Sequence, residues 1–330
     1  MKKLLLFLII IASIIFFVFF WWQSVNKPLD PLKDKPQRFV ITRGMTVSEI
    51  GTKLAKEGLI KSPFAFKLYV QFLGKTQDIK AGEFQLSPSE KMSEIVSKLM
   101  KGPDLVWITF PEGLRREEIA IKIIKEIGVK DAQEFYSQFI LASEGKEGFL
   151  FPDTYLVPKE ITAQKMVDIL YDNFNKKTNI LISDINKTKM SLLEIVVLAS
   201  LIERETNTES ERPIVAGILL KRLENDWPLQ VDASVQYAIG SANCREFKLD
   251  CKWWPILSKE DLNVESPFNS YKFRGLPPKP IANPGISSIK AVIFPEATDY
   301  WFYIHDTNGK IRFAKTLEEH QGNIRKYLVK

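Results

Sequence analysis

Hydrophobic residues run without a charge from Leu4 to Trp22, give way to a polar stretch with three prolines, and from Arg38 onward recur in short periodic groups. The first run is 19 residues, about 28 Å as a helix, enough to cross a bilayer. It ends in Phe16-Phe17-Val18-Phe19-Phe20-Trp21-Trp22, rings suited to a membrane interface. A cleaved signal peptide has a shorter core and a small-residue cleavage site, so residues 1–22 read as a retained single-pass anchor. Lys2 and Lys3 precede it and no basic cluster follows it directly, which places the N-terminus in the cytoplasm and the rest of the chain outside the cell membrane. Residues 23–37 read as a stiff linker.

The periodic groups then predict an α+β chain. Arg38 to Ile41 reads as a strand, Thr46 as the cap of a helix reaching Glu57 and stopped by Gly58, Pro63 to Leu73 as a second helix, Ala81 to Leu86 as a second strand, and Ser89 or Met92 to Met100 as a third helix. These make a small unit over residues 38–103. A larger mixed α+β domain over residues 104–330 opens with a strand and turn from Val106 to Gly113. Helices follow at Arg115 to Ile127, Ala163 to Phe174, Leu192 to Thr206 and Glu209 to Leu223, and Gly148 to Tyr155 reads as an aromatic loop.

Composition narrows the picture little. Net charge is +6, but the lysines are scattered, and a nucleic-acid binder would gather them in a stripe with interleaved aromatics; no nucleic-acid partner is expected. Cys244 and Cys251, the only cysteines, are seven apart and could close a local disulfide in an exported domain. With two distant histidines they offer no metal site, and no cofactor is expected. No Gly-x-Ser-x-Gly, Ser-x-x-Lys or His-Glu-x-x-His motif is present.

The chemistry concentrates at the end of the most apolar helix. Ser191-Leu192-Leu193-Glu194 has capping-box spacing, and nine apolar residues from Leu192 to Ile202 leave the helix no polar face until Glu203-Arg204-Glu205. Such a helix belongs in a domain interior. A carboxyl at its C-terminus, partly desolvated and near the negative end of the dipole, stays protonated longer, which suits a general acid. The two glutamates could equally mark the return of the helix to water. Two residues apart they point about 200° from each other, so only one can face a given cleft, and periodicity does not choose between them.

Several other segments set polar groups among rings: Gly148-Phe149-Leu150-Phe151-Pro152-Asp153-Thr154-Tyr155, Leu229-Gln230-Val231-Asp232, Ser266-Pro267-Phe268-Asn269-Ser270-Tyr271 and Gly275-Leu276-Pro277-Pro278. Sugar-binding clefts use such groups. With Ala199-Ser200-Leu201-Ile202-Glu203-Arg204-Glu205-Thr206 and Glu211-Arg212 they occur in the order found in the YceG-like (MltG) endolytic peptidoglycan transglycosylases, which the chain resembles over nearly its whole length. Phe268, Ser270 and Lys279 depart from the usual Tyr, Thr and Gly. Gly44 to Leu54 further resembles the opening of a LysM glycan-binding module. The resemblance implies a single-pass membrane enzyme that cuts nascent glycan strands between N-acetylmuramic acid and N-acetylglucosamine, leaves a 1,6-anhydromuramic end, terminates elongation and meets peptidoglycan synthases at the membrane. It implies that Glu203, the first Glu of Glu-Arg-Glu-Thr, is catalytic, with Glu205 the alternative. Gln230, Asp232 and Asn269, then Asp153 and Tyr155, are the expected substrate-binding residues. A non-catalytic, membrane-tethered wall-binding scaffold is the competing reading.

Overall fold

The computed structural model describes residues 2–74 and 79–328. The first helix, α1 (Lys2–Asn26), continues four residues past the expected end of the anchor, so the linker begins at Lys27. Its continuation has a packing cause: the Trp22 ring packs tilted against Tyr69 with centroids 4.7 Å apart, Val25 lies against the same core, and Asn26 Oδ1 accepts from Ser93 N at 2.9 Å.

After β1 (Gln37–Ile41), α2 (Val47–Lys56), α3 (Pro63–Phe72), β2 (Gly82–Leu86) and α4 (Met92–Lys101) come as the pattern predicts. Thr46 and Glu49 close a capping box on α2, and Ser62 caps α3 with Pro63 at the first helical position. β1 and β2 pair antiparallel with Phe39 opposite Phe84, and these rings pack with Leu54, Phe66 and Leu99 in one buried core. The sheet has four strands in the order β1-β2-β3-β4, taking β3 (Leu105–Thr109) from beyond residue 103 and β4 (Thr154–Pro158) from the end of the supposed loop. One compact unit is therefore Met1–Ile108 with Tyr155–Glu160, and the other is Thr109–Thr154 with Ile161–Lys330.

The second unit is mostly helical. It comprises α5 (Arg116–Ile127), α6 (Ala132–Ala142), α7 (Ala163–Thr178), the single turn α8 (Ile182–Ile185), α9 (Leu192–Glu205), α10 (Arg212–Glu224), α11 (Asp232–Asn243) and α12 (Ile286–Ile293). A hairpin of β5 (Phe302–His305) and β6 (Ile311–Ala314), then α13 (Leu317–Tyr327), complete it. Every residue of α9 from Ile195 to Ile202 is buried, and it packs among α10, α11 and α12 as its all-round hydrophobicity requires. Cys244 and Cys251 are disulfide-bonded with Cα atoms 6.0 Å apart.

Candidate active site

Where α9 ends, its two glutamates part company. Glu203 turns back into protein, with a side chain only 4 % exposed. Its Oε1 accepts from Arg212 Nη2 at 2.7 Å, and its Oε2 accepts from Gly285 N at 2.9 Å and Ser288 Oγ at 2.8 Å. Gly285 is the residue that precedes α12, so Glu203 serves as an N-terminal cap supplied by another helix, where a negative charge is favoured. Arg212 also reaches Glu112 Oε2 at 3.2 Å. Burial, and then the charge of Glu203, hold the Glu112 carboxyl above its usual range. Glu203 is thus fully engaged in joining α9, α10 and α12.

Glu205 points the other way, into a cavity of about 680 Å³. Gln230, Asp232, Gln236, Tyr271 and Tyr303 line the same cavity. The Tyr303 hydroxyl donates to Glu205 Oε2 at 3.0 Å, and the Ala233 backbone N–H at the start of α11 donates to the same carboxyl. Burial pushes the Glu205 carboxyl up to about 7, and the charge of Asp232 adds to the effect against the opposing hydrogen bonds and Arg204. Such a group can give a proton near neutral pH and take one back. Asp232 accepts a 2.6 Å hydrogen bond from the Tyr271 hydroxyl. Gln230 sits at φ 53, a left-handed conformation rare for a residue with a side chain, and its N–H is tied to Ser270 O at 3.0 Å. Strain of this kind persists only where the surroundings impose it.

Three other expected ligands serve different ends. Asn269 is completely buried; its Nδ2 donates to the carbonyls of Leu262 and Val264 and its Oδ1 accepts from Tyr271 N, so it shapes the loop that presents Tyr271. Asp153 pairs with Lys177 at 2.9 Å and accepts from Asn173 and Thr154 N. Tyr155 is a buried residue of β4. None of the three lines the cavity. Tyr303 was not anticipated, because nothing local in Trp301-Phe302-Tyr303-Ile304-His305 distinguishes a cleft-facing tyrosine from a packed one. Asp232 opening a helix was the missing signal: read as an N-terminal residue of α11, it places Gln236 one turn on along the cavity wall.

The profile of the YceG-like family matches residues 39–326. An endolytic murein transglycosylase of Bacillus subtilis (strain 168) is 32% identical over 313 residues, covering 87% of this chain and 84% of its own length. One from Streptococcus pneumoniae (strain R6) is 28% identical, covering 91% of this chain and 60% of its own length. A crystal structure of a yceG-like protein from Listeria monocytogenes superposes with a TM-score of 0.55 at 30% identity, covering 88% of this chain and 99% of that one.

Proposed function

We propose, for a chain that belongs to the YceG-like family and acts as an endolytic murein transglycosylase, that Glu205 carries the proton transfers and Glu203 holds it in place. The observation that supports this reading is that Glu205 alone of the two opens onto the cavity and keeps a raised pKa there, while all three strong bonds of Glu203 go to protein. This reverses the assignment implied by the family resemblance. Protonated Glu205 gives its proton to the glycosidic oxygen between muramic acid and N-acetylglucosamine, and the C1–O bond breaks as positive charge builds on the muramoyl ring. The resulting carboxylate takes the proton of the muramoyl C6 hydroxyl as that oxygen bonds to C1. A 1,6-anhydro end results, Glu205 regains its proton, and no water is consumed. Asp232 favours the protonated starting state and faces the developing cation. Tyr271 orients Asp232, and Tyr303 donates to the Glu205 oxygen, favouring its carboxylate form. Gln230 offers amide groups to the sugar substituents.

The apolar helix Phe7–Asn26, exposed except at the half-buried Trp22, Val25 and Asn26 near its end, supports a single-pass anchor with the N-terminus in the cytoplasm and the active site outside, where peptidoglycan synthases release new strands. The unit built on β1 to α4 is the proposed second grip on glycan.

Glu205→Gln keeps shape but removes the titratable proton, and release of anhydromuropeptides from purified murein should fall by about 10²–10⁴-fold with the melting temperature little changed. Glu203→Gln should retain a larger share of activity and melt earlier. Near-wild-type release by folded Glu205→Gln would reject the assignment. Mass spectrometry of the products reads the chemistry as well, because a reducing muramic end would mean water had replaced the C6 hydroxyl. Glycan binding without release by the wild type would favour a scaffold.

A further inference from the structure

Helix α3 carries apolar side chains on two opposite faces. Ala65, Phe66 and Val70 are buried in the core of the first unit. Phe64, Leu68 and Phe72, each four residues from the next, line up on the side turned away from Phe66 and Val70. Phe64 is 63 % exposed and Phe72 86 %, and Leu68 and the following Leu73 are exposed as well. A helix that is apolar all round belongs in a domain interior or against lipid, and a continuous exposed apolar stripe marks a surface that binds something.

The neighbour of this stripe is the end of α1. The Trp22 ring packs on Tyr69, the residue after Leu68. Lys61 Nζ, just before α3 begins, donates to Ser24 O at 3.5 Å. The apolar run of residues 4–22 covers about 28 Å as a helix, close to the ~30 Å of a bilayer's hydrocarbon core. Trp22 therefore falls at the membrane boundary, where indole rings are favoured, and Ser24 stands only about 3 Å further along α1. These contacts hold α3 at the level of the lipid headgroups. The linker that begins at Lys27 cannot lift it away, because both contacts come from α1 itself. Residues 59–74 contain no acidic side chain but include Lys61 and Lys67. Rings and aliphatic groups on one face with lysines beside them are the composition of a helix lying in the plane of an anionic bilayer surface.

We propose that the Phe64, Leu68 and Phe72 face of α3 beds in the leaflet from which α1 emerges, with Lys61 and Lys67 level with its acidic headgroups. The first unit then has a peripheral foothold beside the anchor and lies against the membrane, so that its grip on glycan acts at the bilayer surface. The proposal rests on the reading of α1 as a membrane span.

The full-length protein reconstituted in vesicles of phosphatidylethanolamine and phosphatidylglycerol provides the test. The two native cysteines are joined in a disulfide, so a nitroxide can be placed on one new thiol at a time. The labelled variants are Phe72→Cys, Leu68→Cys and, as a reference, Thr52→Cys on the exposed polar side of α2. Electron paramagnetic resonance compares relaxation by oxygen, which concentrates in lipid, with relaxation by a water-soluble nickel chelate. The oxygen-to-nickel ratio at positions 68 and 72 should exceed the ratio at position 52 several-fold. Ratios no higher than the reference would overturn the proposal. Shielding of 68 and 72 from both relaxants would overturn it too, since protein would then cover the stripe, and line broadening relieved by unlabelled protein would identify a second copy as that cover. Both labelled side chains are exposed, so the core stays intact; if either variant lacks the wild-type thermal transition, Phe64→Cys takes its place. Release of the wild type from the vesicles by alkaline carbonate would reject the membrane span, and the proposal with it, whereas a retained protein with water-exposed labels would reject the foothold alone.

Discussion

At the scale of single residues, the site depends on how neighbours move a carboxyl's affinity for its proton. Asp232 raises the pKa of Glu205, so Asp232→Asn should lower it, and the basic limb of the pH–rate profile should move to lower pH. An unmoved limb would mean that Glu205 is not the acid. Glu147 is a second buried carboxyl, far above its usual range chiefly through burial and then through Glu117. Its Oε1 accepts from Arg116 N and Asn283 Nδ2, while its Oε2 has no partner among the described residues. A carboxyl whose folded pKa is raised contributes stability that is fully present below the unfolded value near 4.5 and lost as pH rises through the folded value. The melting temperature should therefore fall from acid toward mildly alkaline pH, and Glu147→Gln should flatten that fall and raise the melting temperature at its alkaline end. Thermal melts across the range check both.

Helices carry the site by their ends. The last turn of α9, the first turn of α11 and the N-terminus of α12 meet around Glu203 and Glu205, so small shifts of an axis misplace several groups at once. Glu203→Ala removes the cap of α12 and, among the described residues, leaves Arg212 only the more exposed Glu112 as an ion-pair partner, beside its hydrogen bond to the Ser287 hydroxyl. Loss of one partner of a buried pair costs about 3–5 kcal/mol, and chemical denaturation should show an unfolding free energy lower by that order. α11 offers a test away from the chemistry. A Cβ at Gly240 would lie 2.1 Å from the carbonyl oxygen of Trp253, so Gly240→Ala must push α11 off the chain that follows the Cys244–Cys251 disulfide. Activity should drop together with stability, because Asp232 and Gln236 ride on the same helix; a stable, fully active variant would show that α11 tolerates displacement.

Across the whole molecule, the proposed anchor and the core of the first compact unit share a helix. Trp22 and Val25 belong to the partly buried shell of that unit's core, so a soluble form cut before Trp21 should fold, whereas one cut after Asn26 should lose stability in this unit. Circular dichroism melts of the two truncations separate these outcomes. Protease added to intact spheroplasts should digest the chain outside the membrane; full protection would reverse the proposed topology.

The apolar run of α1, the capping boxes at Thr46 and Ser191 and the all-round hydrophobicity of α9 were legible in the sequence because each depends on neighbours within a few turns. The same locality made Glu203-Arg204-Glu205 stand out as the place where chemistry meets water. Which glutamate faces the cleft was not legible, since helical geometry opposes the two side chains without saying what lies on either side. Arg212 and the N-terminus of α12 claim Glu203, and the hairpin with Tyr303 and the start of α11 enclose Glu205; those partners come from up to 98 residues away. Asn269 looked like a ligand for the same reason: a buried amide bonded to its own loop and an exposed one awaiting sugar have the same sequence, and burial, which belongs to the tertiary structure, separates them.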